Sequence, residues 1–211
     1  MSANWLERLS AARMMPIVTV RDVAEAAALV DDLVEAGVAA VEILFRSAGA
    51  PEALARCRER HPRLLIAAGT ILSAELCARA ADSGADLMVS PGLTPELAAA
   101  AKASPLPLLP GAQTASEVMA AEGLGFTALK FYPAEPNGAP AILRDYANVF
   151  PAVRFVPTGG IGEPQLPAYA ALRNVAAVGG SWLQAGLDAN EGRRAELAAR
   201  VSRAKAILGA L

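Results

Sequence analysis

Lys130 stands in the run Thr127-Ala128-Leu129-Lys130-Phe131-Tyr132-Pro133 and is one of three lysines, the other two, Lys102 and Lys205, falling in helical segments. An ammonium is costly to bury. A lysine inside an apolar run is therefore either held by a partner carboxylate or present as a neutral amine able to attack a carbonyl. A carboxylate in a similar setting occurs in Ala40-Val41-Glu42-Ile43-Leu44-Phe45-Arg46-Ser47. Counting in twos along that strand puts Glu42, Leu44 and Arg46 on one face. Glu42 then either pairs with Lys130 inside the protein or points outward among helices, and the pattern alone leaves both open.

Two glycine turns offer a different chemistry. Val156-Pro157-Thr158-Gly159-Gly160-Ile161-Gly162 and Val178-Gly179-Gly180-Ser181-Trp182 each follow a β-rich run. Glycine lets backbone N–H groups approach an anion closely, so the pair reads as a phosphate-binding site, with plain tight turns as the alternative. Ala68-Gly69-Thr70 and Ser90-Pro91-Gly92 bring a hydroxyl and a rigid turn to two further strand ends, each a weak signal alone. Glu135, in Pro133-Ala134-Glu135-Pro136-Asn137-Gly138, is expected to be solvated.

Other chemistries are poorly supplied. His61 is the single histidine and precedes Pro62 at the expected end of a helix, where a solvated surface role is the simpler reading. Cys57 and Cys77 are isolated and are expected to be free, buried thiols. Histidine triads and the usual zinc sites lack their residues. No metal and no cofactor are expected.

These residues need a scaffold, and the sequence repeats one. Short β-rich runs at 16–20, 40–45, 64–68, 87–90, 107–110, 128–132, 154–157 and 175–178 alternate with helical segments at 23–36, 51–60, 74–83, 95–103, 115–122, 140–150 and 165–171. A last short helix is expected to start near Trp182. Leading and trailing helices, 5–13 and 191–211, bracket the eight units, the leading one placed to plug a barrel floor. Gly37 and Gly84 are expected to end helices, and Ser73 and Thr94 to begin them. The expected fold is α/β, a (β/α)8 TIM barrel with an extra N-terminal helix, as one domain over 1–211; an open doubly wound sheet is the alternative. Active sites of such barrels lie at the C-terminal strand ends, where the loops after strands seven and eight commonly take phosphate.

The chain has 211 residues, 54% hydrophobic and only 5% aromatic, with a formal net charge of -2. Small aliphatic residues suit helices layered on parallel strands. The charge supplies no basic field for nucleic acid, and apolar stretches are broken before bilayer length. No nucleic-acid or membrane partner is expected, and the N-terminus lacks signal-peptide order, so a cytoplasmic protein is expected.

Taken together, the motifs resemble those of the 2-keto-3-deoxy-6-phosphogluconate (KDPG) and 4-hydroxy-2-oxoglutarate (KHG) aldolases, class I lyases. The resemblance runs through Glu42 with Arg46, Ala68-Gly69-Thr70, Ser90-Pro91-Gly92, Leu109-Pro110-Gly111, Lys130-Phe131-Tyr132-Pro133-Ala134-Glu135, Pro157-Thr158-Gly159-Gly160-Ile161 and Gly179-Gly180-Ser181-Trp182. It implies that Lys130 forms the imine and that Glu42 is the general acid/base. It implies further that Arg46 and Thr70 hold the substrate carboxylate, and that Pro91 and Tyr132 shape the wall. Thr158 would lie near the substrate hydroxyls, with Gly159, Gly160, Gly180 and Ser181 on the phosphate. The implied partner is a small phosphorylated 2-keto acid, the pathway Entner–Doudoroff, and the assembly a homotrimer. Tyr132 departs from the family's usual phenylalanine, while Arg46 and the Thr-Gly-Gly turn favour the gluconate-series substrate over the galactonate series. Rival readings are cleavage of 4-hydroxy-2-oxoglutarate or decarboxylation of oxaloacetate by the same lysine, a sugar-phosphate isomerase or epimerase, and a non-enzymatic phosphometabolite binder.

Overall fold

A computed structural model describes residues 5–187 and 192–209. α1 (Trp5–Ala12) precedes the alternation of strands and helices. The strands are β1 (Met14–Thr19), β2 (Ala40–Leu44), β3 (Leu65–Gly69), β4 (Leu87–Val89), β5 (Leu108–Leu109), β6 (Ala128–Phe131), β7 (Arg154–Pro157) and β8 (Val178–Gly180). Between and after them run α2 (Val23–Glu35), α3 (Ala50–Arg60), α4 (Ala74–Asp82), α5 (Pro95–Ala103), α6 (Ala115–Gly123), α7 (Ala139–Val149), α8 (Leu166–Ala170) and α9 (Gly192–Leu208).

All pairings are parallel. Six strands form one curled sheet in the order β5-β4-β3-β2-β1-β8, and β6 pairs with β7. Isolated parallel bridges lie at the two seams: Gly111 to Lys130 between the β5 and β6 ends, and Phe155 to Val175 and Thr158 to Gly179 between β7 and β8. Backbone bonds accompany them, with Lys130 N–H donating to Pro110 O at 2.8 Å and Ala176 N–H to Phe155 O at 2.9 Å.

Strand alternation divides the core in two. Val41, Ile43, Leu129, Phe131 and Phe155 face the helices in a large outer cluster. Ala40, Met15, Leu65, Ala67, Leu109, Ala128 and Val156 form a smaller inner cluster, joined by Leu9 and Ala12 of α1. The inner residues are small or slender because several strands converge on the same space. Leu9 is fully buried there, so α1 extends the inner cluster rather than lying on the outside.

Caps agree with their sequence signals. Ser73 and Thr94 accept from the third N–H of α4 and α5, Thr114 and Glu117 form a capping box on α6, and Gly37 and Gly84 take φ of 91° and 81° after α2 and α4. Other expectations need correction. The leading helix stops at Ala12, because Arg13 turns to φ 60° and donates to Leu208 O and Val175 O, both at 2.9 Å. β8 begins at Val178, since Val175 only bridges Phe155. The segment expected as one helix over 165–171 is a 3-10 turn (Glu163–Gln165) followed by the short α8. No helix starts at Trp182; Ala185 N–H bonds Ser181 O at 3.0 Å, a single turn. Residues 191, 210 and 211 of the trailing helix lie outside the described residues.

Cys57 and Cys77 are free and buried, and burial raises both thiols, Cys57 to about 11, which keeps them protonated and unreactive. His61 is half-buried rather than solvated, its Nε2 2.6 Å from Asp31 Oδ1. Among the described residues, no helix is long and apolar enough to cross a membrane.

Leu9→Ala tests the place of α1. Removing a fully buried leucine should cost about 2–5 kcal/mol in chemical denaturation. A loss below about 1 kcal/mol would show that α1 does not contribute to the inner core.

Candidate active site

The alternation that fills the core with Ala40 and Ala128 brings Glu42 and Lys130 inward two residues later, since i and i+2 share a face. Glu42 is fully buried, and Lys130 is 6% exposed. Lys130 Nζ donates to Glu42 Oε1 at 3.1 Å and to Oε2 at 3.3 Å. Of the two readings open for Glu42, the inward one is what the structure adopts. A pair so dry loses much hydration free energy on folding and regains it only through close mutual contact, so its value for stability is small or negative.

Room for the carboxylate depends on Gly69. A Cβ there would stand 2.3 Å from Glu42 Oε1 and 2.7 Å from its Cγ. The aromatic ring of Tyr132 lies on another side of the amine, its centroid 5.5 Å from Nζ, within reach of a cation–π contact.

At the C-terminal strand ends lies a cleft of about 490 Å³, within the usual size of small-molecule sites; Lys130 and Glu42 are not among its lining residues, and Tyr132, which is, connects it to the amine. It gathers Arg46, Tyr132, Thr158, Gly159, Gly160, Gly180 and Ser181 from β2, β6, β7, β8 and their loops. Thr70 does not line the cleft, but its Oγ1 accepts from Arg46 Nε at 3.0 Å. Thr70 also has φ of 63°, a strained state for a β-branched residue that costs about 1–3 kcal/mol. Pro91 is not among the cleft-lining residues; its carbonyl packs where a Cβ on Gly111 would be, at 2.1 Å, and Gly111 bridges Lys130.

The glycine turns are fitted to their neighbours. Gly159 and Gly160 have φ of 105° and 78°, and a Cβ on Gly179 would meet Thr158 Oγ1 at 2.4 Å. The Thr158 turn is stitched to the preceding loop, with Ala134 N–H donating to Thr158 O at 2.8 Å and Glu135 N–H to Gly159 O at 3.0 Å. Glu135 is not solvated as expected. Its carboxylate accepts from the hydroxyl of fully buried Tyr169, whose phenol is pushed up by burial and then by Glu135 itself. Its Cβ occupies space beside Gly160, 2.9 Å from where a Cβ there would lie.

Sequence reasoning missed Ile17 and Thr19, which also line the cleft. Thr19 carried a usable signal, a polar residue two places after Ile17 at the end of an apolar strand. Among the described residues, no group of three or more His, Cys, Asp and Glu side chains is arranged to hold a metal ion. The chemistry on offer is that of an amine beside a carboxylate, with backbone donors and an arginine at the rim.

Comparison with known proteins bears on this arrangement. A family model described as KDPG and KHG aldolase matches residues 6–197. The 2-dehydro-3-deoxy-phosphogluconate aldolase of Pseudomonas aeruginosa is 41% identical over 172 residues, covering 82% of this chain and 78% of that protein. A KDPG aldolase structure from Legionella pneumophila, with pyruvate captured as a covalent carbinolamine intermediate, superposes with a TM-score of 0.86 at 31% identity, covering 98% of this chain and 99% of that one. The Zymomonas mobilis ZM4 enzyme, solved with 3-phosphoglycerate, gives a TM-score of 0.88 at 34% identity, covering 98% and 97%.

The buried pair has a stability signature. Replacing both members by apolar residues of similar size, Lys130→Met with Glu42→Leu, should leave thermal stability unchanged or raise it by about 1–4 kcal/mol. A double variant markedly less stable than the wild type would make the pair a structural ion pair first.

Proposed function

The chain belongs to the KDPG and KHG aldolase family, and from that premise we propose that it is a class I lyase that cleaves 2-keto-3-deoxy-6-phosphogluconate to pyruvate and glyceraldehyde 3-phosphate through a Schiff base on Lys130. The observation that carries this reading is the buried contact of Lys130 Nζ with both oxygens of Glu42, at 3.1 and 3.3 Å, beside Tyr132, which lines a cleft rimmed by two glycine turns.

In the proposed sequence, proton transfer from the Lys130 ammonium to Glu42 exposes the amine lone pair. The amine attacks the C2 ketone, and the resulting carbinolamine loses water, Glu42 supplying the proton, to give a protonated imine. Glu42, acting directly or through one water, then removes the proton of the C4 hydroxyl. The C4–O bond becomes a carbonyl, the C3–C4 bond breaks, and its electron pair flows into the imine to leave an enamine. Protonation at C3 and hydrolysis release pyruvate and restore the amine. Arg46, held by Thr70, binds the carboxylate end. Tyr132 packs beside the imine, and Thr158 addresses the substrate hydroxyls. Pro91, packed against Gly111 beside Lys130, shapes the wall there. Gly159, Gly160, Gly180 and Ser181 take the phosphate, and binding energy from that remote group holds the reacting carbons in place.

The reading extends to the architecture. The bridges at both seams support one closed (β/α)8 barrel as a single domain, with α1 plugging its floor. A homotrimer acting in the cytoplasm is the assembly and setting we infer; exposed Leu72, Met119 and Val149 are apolar side chains that a subunit contact would cover. The KHG part of the family description favours one second activity, cleavage of 4-hydroxy-2-oxoglutarate by the same lysine without use of the phosphate turns.

The purified protein should convert the phosphorylated aldol to equal amounts of pyruvate and glyceraldehyde 3-phosphate, with the unphosphorylated aldol turned over more slowly in kcat as well as bound less well. Glu42→Gln should slow exchange of the pyruvate methyl protons, followed by NMR in deuterated water, by about 10²–10⁴-fold. Exchange at the wild-type rate would remove Glu42 from proton transfer.

A further inference from the structure

The turn after β8 carries half of the proposed phosphate site, yet it is one turn long. A longer helix would satisfy its carbonyls with the next turn of N–H groups. Here the accounting closes differently. Ser181 O accepts from Ala185 N–H at 3.0 Å, and Gln184 O from Leu187 N–H at 3.1 Å. The remaining three carbonyls, of Trp182, Leu183 and Ala185, all accept from Arg200 Nη1, at 3.2, 3.1 and 2.8 Å. Arg200 stands on α9, where its Nε donates to Glu196 Oε1 at 2.8 Å, one turn back along the same helix. That contact fixes the plane of the guanidinium and aims its free edge at the turn.

The carbonyls of the turn thus meet a positive charge, and its first residue, Ser181, lines the cleft beside Gly180. Among the described residues, no backbone carbonyl accepts from the N–H groups of Ser181, Trp182 or Leu183. Behind Gly180 the fit is close, because a Cβ there would lie 2.5 Å from Trp182 Cε3, so the turn has little freedom to shift without moving the glycine.

Resting on the phosphate reading above, we propose that Arg200 is a positioning residue: from 15 to 18 residues downstream it clamps the carbonyls of the 181–185 turn, and so holds the backbone donor of Ser181, next to Gly180, at the substrate phosphate. It touches neither substrate nor reacting atoms. Its effect should therefore fall on discrimination for the phosphate rather than on imine chemistry.

The test compares kcat/KM for the phosphorylated aldol with that for unphosphorylated 4-hydroxy-2-oxoglutarate in the same preparation. Arg200→Met removes the donors and keeps the apolar stem. It should lower the ratio of the two values by about tenfold or more, through KM of the phosphorylated substrate, as expected when bonds from a charged group are lost. Inorganic phosphate should also raise the Tm of the wild type more than that of the variant. Arg200→Lys, which keeps the charge without the fork, should fall between the two, and serves if the methionine variant does not fold. An equal fall for both substrates, or an unaltered ratio, would overturn the role of Arg200 alone. A wild type that does not prefer the phosphorylated substrate would overturn the phosphate reading and this proposal together.

Discussion

The structure is organised around one unfavourable act, the removal of an ammonium and a carboxylate from water. Lys130 and Glu42 occupy the inner face of strands on different sides of the fold, at the level where apolar packing ends and the cleft begins. Their mutual contact offsets the lost hydration in part. A protein selected for stability alone would place two aliphatic residues there. Finding the pair, with Gly69 bare of a side chain to make room for the carboxylate, points to a chemical use.

The rest of the site follows from where parallel strands end. Arg46 lies four residues past Glu42, and Thr158 two past Val156, so alternation delivers both to the cleft. Loops then supply what side chains do not. Two turns rim the cleft, and each is braced by neighbouring contacts: the first by the 133–137 loop and the Tyr169–Glu135 contact, the second by Arg200. Buried Tyr169, with its phenol kept protonated, remains a donor to Glu135 at any ordinary pH. The strained Thr70, tied to Arg46, adds a small conformational cost behind that arginine. Such a cost is tolerated where geometry matters more than stability.

Much of this was legible beforehand, for physical reasons. Eight β-rich runs alternating with helices showed because the strands bury aliphatic residues and several helices carry caps; Ser73, Thr94, Gly37 and Gly84 all act as their types suggest. Glu42 and Lys130 stood out because charges are rare in such runs. What stayed hidden depends on contacts distant in the chain. A left-handed Thr70 has no local signature, and neither has the seating of Arg200 on the carbonyls of the turn at Trp182, which Gly186 ends with φ of 72°. The packing of the Pro91 carbonyl against Gly111 likewise has no local signature. Glu135 looked like a loop carboxylate until Tyr169, 34 residues on, supplied its donor.

The central claim is that Lys130 presents a nucleophilic amine to a ketone, and covalent trapping reads it directly. The protein is incubated with pyruvate, reduced with borohydride, digested and mapped by mass spectrometry. The account predicts a reduced pyruvate adduct on the peptide containing Lys130, with none on Lys102 or Lys205, and loss of activity in proportion to labelling. A fully active protein after reduction, or an adduct confined to the other two lysines, would contradict it.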